Sequence, residues 1–206
     1  RFDHSVRTPQ QSREAGARDL TAAIGQLDLT WIAGDETLVM AVRSTTAHDW
    51  RRDARTRLPE LLEALASRHH REGDLAQLVD PDLKEARGGL RDMGILRAMT
   101  AAWLADRPHG RVDTAYISLL DARDALHIVT GRPRERLGRE DHDAVAAILG
   151  DRDGDELLAR LAHCGREIAY AVDVTLRRAS QARAARTLRI SARKPQMTPV
   201  GHGLFV

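Results

Sequence analysis

The stretch Asp80–Trp103 constrains this chain more than any other, because it contains a helix break, a glycine pair and a helix start within a few residues. It reads Asp-Pro-Asp-Leu-Lys-Glu-Ala-Arg-Gly-Gly-Leu-Arg-Asp-Met-Gly-Ile-Leu-Arg-Ala-Met-Thr-Ala-Ala-Trp. Asp80-Pro81-Asp82 cannot sit inside a helix: proline lacks the N–H and disfavours helical geometry in the residue before it. Gly88-Gly89 lets backbone approach a neighbour with no side chain in the way. From Leu90 the apolar residues Met93, Ile95, Leu96, Met99 and Trp103 follow helical spacing. A charged, glycine-bearing loop therefore opens onto a helix whose first turn holds Arg91 and Asp92. Free N–H groups and the helix dipole at such a start make an anion site an expectation. The bland alternative is a tight loop pinned by Glu85–Arg91 and Asp92–Lys84 pairs ahead of an ordinary core helix.

The rest of the composition agrees with helices. Of 206 residues, 42% are hydrophobic but only 3% aromatic, so the core is aliphatic and suits helix packing better than a sandwich of sheets. Thirty-two basic residues face 30 acidic ones, for a formal charge of +2. That balance argues against nucleic acid as a partner, which would demand a basic excess on one face. Lys84 and Lys194 are the only lysines, which sets Lys84 apart in an arginine-rich chain. The single cysteine, Cys164, excludes an internal disulfide. No apolar run is long enough to span a bilayer and no leader is recognisable, so a soluble, cytoplasmic protein without a membrane partner is expected. The Arg-Phe-Asp start leads us to read the chain as part of something longer.

In chain order, Phe2, His4 and Val6 alternate as in a short strand. Thr8-Pro9 starts a helix running to about Ile24. Leu27, Leu29 and Trp31 alternate with Asp28 and Thr30, which predicts a second strand over Gln26–Ala33. Asp35–Arg55 reads as a long helix, with a kink or new start at Pro59 and an apolar face continuing to about His69. Further helices are expected over Thr114–Thr130, Asp141–Leu149 and Glu156–Ala185. From Arg186 the sequence turns Arg/Pro/Gly-rich and reads as a linker. The fold class is all-α: an irregular multi-helix bundle with a short strand-bearing remnant at its N-terminus. The divisions fall at 1–33, 34–185 and 186–206.

Lys84-Glu85-Ala86-Arg87-Gly88-Gly89-Leu90-Arg91-Asp92 resembles the Lys-Glu-x-x-Gly-Gly-Leu-Arg-Asp signature of the bacterial PII uridylyltransferases, in the helical region after their nucleotidyltransferase palm. The run His4-Ser5-Val6-Arg7-Thr8 and the Leu27-Asp28-Leu29 segment resemble the same family at the end of the palm. Arg123…Leu126-His127…Gly131-Arg132…Arg136-Leu137 resembles it further along, with Glu135 replacing the usual Asp and His142 a usual Gln. The resemblance implies an enzyme that transfers UMP, or in some relatives AMP, from UTP or ATP with Mg²⁺ to a tyrosine of the signal protein PII. It also implies removal of the nucleotide at a separate HD domain, under control of glutamine. The family's Gly-Ser motif and Asp-x-Asp pair are absent, so catalysis by these residues alone is not expected.

The resemblance marks Lys84, Glu85 and Arg87, then Gly88, Gly89, Arg91 and Asp92, as nucleotide- or substrate-binding. Arg123 and His127, which share a helix face at i, i+4, and Arg132 just beyond would form a second polar wall. Asp28 is the candidate third palm carboxylate, against the simpler reading of a solvent-facing strand aspartate. His69-His70 and His163-Cys164 point apart on a helix and make poor metal pairs. His48-Asp49 and His142-Asp143 lack the other ligands that an HD site needs and read as surface residues. The rival to an enzyme fragment is a helical scaffold that joins regulatory domains or docks PII.

Overall fold

A computed structural model describes residues 5–191 together with the short segments 199–200 and 204–205. Seven α-helices make up most of it: α1 Pro9–Arg18, α2 Leu20–Gly25, α3 Glu36–Glu72, α4 Leu90–Ala101, α5 Arg111–Thr130, α6 His142–Leu149 and α7 Gly154–Ser191. Pro199–Val200 and Leu204–Phe205 pair antiparallel as β1 and β2. The all-α expectation holds.

Helix α7 is the organising rod: α4, α5 and α6 all pack on it. Leu157, Leu161, Ile168 and Val172 repeat at helical spacing along it and are fully buried. They meet Leu96 and Met99 of α4 and Leu119 and Leu126 of α5 in one continuous core. Helix α3 joins this core only from Trp50 onward, through Ala54, Leu58, Leu61 and Leu65. The Trp50 indole donates to the Ala98 carbonyl at 2.8 Å and ties α3 to the end of α4.

Several boundaries differ from the sequence reading. The expected α1 breaks at Asp19, whose side chain accepts from the Ala22 N–H and starts α2. Pro59 neither kinks α3 into two elements nor ends it. The 37-residue helix runs through, because the buried stripe on both sides of Pro59 offsets its one missing hydrogen bond. Helix α7 passes Ala185 and reaches Ser191, six residues into the expected linker. Arg186, Leu188 and Arg189 there are strong helix formers.

The strand-bearing remnant is not present among the described residues. Residues 1–4 of the first expected strand lie outside them, and Ser5–Thr8 pairs with no strand. Over Gln26–Asp28 the chain continues α2 as a 3₁₀ turn, closed by the Leu29 N–H on the Gln26 carbonyl. A strand needs a partner for its ladder, and none adjoins this segment. The buried Gln26 side chain instead donates to the Ser12 carbonyl at 2.9 Å. The alternation of Leu27, Leu29 and Trp31 is therefore not a sheet face; Trp31 stays 44% exposed.

Candidate functional site

The loop before α4 is held by its own backbone. The Asp82 carboxylate accepts the N–H groups of Lys84 and Glu85, turning the chain directly after Pro81. Asp82 also bridges to Arg136, and Asp74 to Arg87, so both ends of the loop are stitched to distant segments. The N–H groups of Leu90 and Arg91 donate to the carbonyls of Leu83 and Lys84. The Gly88 N–H donates to the Asp92 carboxylate at 2.8 Å. The expected free anion site at this helix start is thus already filled by the loop itself. Its cations, not its amides, face the solvent.

Behind the loop lies a buried ionic clasp. Asp92 is fully buried and binds Arg68, with His69 Nε2 at 3.0 Å. Arg68 also donates to the Glu85 carbonyl at 2.7 Å, so one guanidinium holds both the loop and the helix start. Burial pushes the Asp92 carboxyl upward, but the His69 hydrogen bond and the Arg68 charge outweigh it and leave it below the usual carboxylate range. The Glu85–Arg91 pair expected from the sequence forms at 2.7 Å. The expected Asp92–Lys84 pair does not: Asp92 turns inward to α3, and Lys84 turns to Glu135 at 3.7 Å.

The two glycines serve this clasp. A Cβ on Gly88, whose φ is +85°, would lie 2.3 Å from the Gly165 carbonyl oxygen of α7. A Cβ on Gly89 would meet the carbonyl oxygens of Leu83, Lys84 and Ala86 within 3 Å. Arg87 also belongs to this inner side, bound to Asp74 at 2.7 Å and Asp173 at 2.8 Å.

On the other side of the loop opens a cleft of about 500 Å³ between α2, α3, α4 and α5, a size ordinary for a small-molecule site. Leu20 and Ile24 from α2, Leu61 and Leu65 from α3 and Leu120 from α5 give it apolar walls. Its cations are Arg68, Lys84, Arg91, Arg97 and Arg123, and Asp28 lies among them. Arg123 grips Glu135 with two hydrogen bonds of 2.7 and 2.8 Å, and the hydrogen bond from Arg123 holds the Glu135 carboxyl below its ordinary range. With both Glu135 oxygens engaged by Arg123, the more distant Lys84 keeps donors to spare, and two cations share one carboxylate.

Of the residues singled out in the sequence, Lys84, Arg91, Arg123 and Asp28 meet at this cleft, with Glu85 on Arg91. Arg87, Gly88, Gly89 and Asp92 lie behind it. His127 is spent on the Arg134 carbonyl at 3.0 Å, and exposed Arg132 sits past the end of α5, away from the cleft walls. Asp28 stands on a 3₁₀ turn, not a strand, and pairs with Arg97 at 3.1 Å. His142 corrects the surface reading: it is 7% exposed, packed under Gly154, and its Nε2 has no partner among the described residues. His48 is exposed as expected, while its neighbour Asp49 binds Arg13.

Sequence reasoning missed Arg68, Arg97 and Tyr116. Arg97 stands seven residues after Leu90 of the signature run and Tyr116 seven before Arg123, about two helical turns each, so helical spacing would have found both. Arg68 carried no such signal, since it was hidden beside the histidine pair. Among the described residues no three His, Cys, Asp or Glu side chains come together to hold a metal ion.

The helices thus enclose one cation-rimmed, apolar-walled cleft. Residues 56–102, which include the loop and α4, match the family model described as GlnD PII-uridylyltransferase. The chain is 48% identical over 188 residues to the bifunctional uridylyltransferase/uridylyl-removing enzyme of Streptomyces coelicolor, covering 91% of this chain and 22% of that protein. It is 39% identical over 212 residues to the same-named protein of Mycobacterium tuberculosis, covering 99% of this chain and 26% of that one. For Corynebacterium glutamicum the identity is 36% over 171 residues, covering 83% and 23%. The chain belongs to the PII-uridylyltransferase family and spans about a quarter of the length of these relatives. No solved structure matches it. Among the described residues no helix is long and apolar enough to cross a membrane.

Proposed function

We propose that this chain is the helical part of an enzyme that transfers UMP, or AMP, from the nucleoside triphosphate to a tyrosine of PII, and that its cleft forms one wall of the nucleotide and protein-substrate site. The observation that carries this reading is the convergence of Lys84, Arg91 and Arg123 from a loop and two helices onto one cleft. Phosphoryl oxygens need cations placed where charge develops, and here they stand on rigid elements. Asp92, Arg68 and the Gly88–Gly165 contact position the loop so that Lys84 and Arg91 face outward. Mg²⁺ would supply charge neutralisation at the phosphates, and the one carboxylate singled out for it here, Asp28, is paired with Arg97. The cleft residues of this chain bind and orient; glutamine control and nucleotide removal belong to other parts of such an enzyme.

The test is UTP and ATP binding, with Mg²⁺, to the complete protein carrying this chain and to its Lys84→Ala and Arg91→Ala variants. Affinity should fall about tenfold for each, the value of one charge-assisted contact, with the melting temperature unchanged. Unchanged affinity with a lowered melting temperature would make the loop a structural clasp and leave the helical-scaffold reading in its place.

A further inference from the structure

The cleft has two chemically different ends, set by two helices running in opposite directions. On α4, Leu90, Gly94 and Arg97 share a stripe, and on α5 Tyr116, Leu120 and Arg123 share another. The Arg97 guanidinium lies over the Tyr116 ring at 4.8 Å, joining the far end of α4 to the near end of α5. At the opposite ends, Arg91 and Lys84 adjoin the loop, and Lys84 shares Glu135 with Arg123. Six or seven residues separate the ends along each helix, about 10 Å at 1.5 Å per residue. Between them Gly94 leaves α4 bare: a Cβ there would meet only Ile24, at 3.8 Å. Glycine inside a helix is unfavourable against alanine, and here it keeps the middle of the cleft open.

Arg97 is built as a fixed plate. Tyr116 supports one face, Asp28 holds Nη1 at 3.1 Å, and its side chain remains 36% exposed toward the cleft. Burial works against its charge, but Tyr116 and Asp28 outweigh that and hold the guanidinium above its ordinary range. A charged, planar group clamped at its edge and backed by a ring offers its free face for stacking.

Resting on the reading of the cleft given above, we infer that Arg97, backed by Tyr116, is the subsite for the flat base of a nucleotide whose phosphates meet Lys84, Arg91 and Arg123. The ligand carries an anionic end and a planar ring held apart by a sugar, matching the two ends and the open middle. Arg97 stacks on the ring, Tyr116 positions Arg97, and Asp28 fixes the guanidinium's rotation.

Calorimetry on the complete protein with two probes, UTP and inorganic tripolyphosphate, separates the ends. Arg97→Lys keeps the charge and its Asp28 partner but loses the plane; Tyr116→Leu loses the support; Tyr116→Phe keeps it. Arg97→Lys and Tyr116→Leu should weaken UTP about tenfold, as the loss of one base stack does, and leave tripolyphosphate and melting temperature unchanged. Tyr116→Phe should bind UTP as the parent does. Lys84→Ala should weaken both probes. If Arg97→Lys and Tyr116→Leu weaken both probes alike, or neither, while Lys84→Ala still weakens both, the base subsite is wrong and the phosphate end stands. If Lys84→Ala weakens neither probe, the cleft reading falls and the subsite with it.

Discussion

The two ends of α3 belong to differently built parts of the molecule. From Trp50 to Arg68 the helix lies on the core, with Leu58 and Leu61 each 2% exposed. From Glu36 to Asp49 only Thr46 is buried, and Leu38 and Met40 are about half exposed, at 50% and 52%. The segment before it buries only Leu20, Ala23 and Gln26 and is otherwise tied by polar contacts: Arg13 to Asp49 at 2.7 Å, Arg57 to the Gly16 carbonyl at 2.7 Å and Arg97 to Asp28. The signature loop is the reverse case, its Leu83 and Ala86 wholly buried and its charges either paired inside or aimed into the cleft. Apolar burial carries most folding energy, whereas exposed ion pairs contribute little. The two regions therefore differ in local stability, and α3 lines the cleft only with its firm end, through Leu61, Leu65 and Arg68.

The contrast breaks most sharply at Gly88. Gly88→Ala puts a methyl group 2.3 Å from the Gly165 carbonyl oxygen and strains a backbone at φ +85°. Neither α7 nor the loop can retreat without disturbing the core, so the cost should be about 4 kcal/mol. Urea unfolding would show it as a lower midpoint at constant slope. A loss below about 1 kcal/mol would mean that the loop is as soft as the N-terminal part.

Next comes the clasp. Asp92→Asn leaves the buried Arg68 without a counter-charge, at a cost of about 3 kcal/mol. The pH dependence has a definite sign. A carboxyl held below its ordinary range when folded contributes stability above its unfolded pKa, near 3.9, and loses it as pH falls toward the folded value. The parent protein should therefore lose stability below about pH 4, and the variant, already destabilised, should show a shallower acid slope in thermal melts. An identical slope in both would show that Asp92 contributes nothing to the acid transition.

These two residues also mark what could be read in advance. Gly88, Gly89 and the helix from Leu90 were legible because glycine pairs and apolar spacing are local signals. So was α5, whose glycine stop at Gly131 adopts the left-handed conformation expected of a C-cap. The Lys84, Arg91 and Arg123 convergence followed from family resemblance, since spacing cannot bring residues 84 and 123 together. The partner of Asp92 was illegible: Lys84 was nearer in sequence, but a buried carboxylate takes the charge that is buried with it, and Arg68 is buried one turn before the end of α3. The strand over Gln26–Ala33 failed because alternation over a few residues cannot distinguish a lone strand from a turn following a helix. His142 failed likewise, since burial under Gly154 is decided by the return of α7 and not by its neighbours.

The smallest effect belongs to the exposed end of α3. Leu38→Ser with Met40→Ser removes two large apolar side chains, yet each is half in solvent and outside the continuous core. Serine is slightly poorer than leucine or methionine inside a helix, which adds a few tenths of a kcal/mol per site. The double variant of this chain should stay within about 1 kcal/mol of the parent, while Leu58→Ala, eighteen to twenty residues further along the same helix, should cost about 3 kcal/mol. Hydrogen exchange refines the point, because amides over Glu36–Asp49 should exchange through local opening and those over Leu58–Arg68 only with global unfolding. If the double serine variant costs as much as Leu58→Ala, the near end of α3 is packed as firmly as the far end. The N-terminal end of α3, which lies outside the cleft, would then be as rigid as the signature loop.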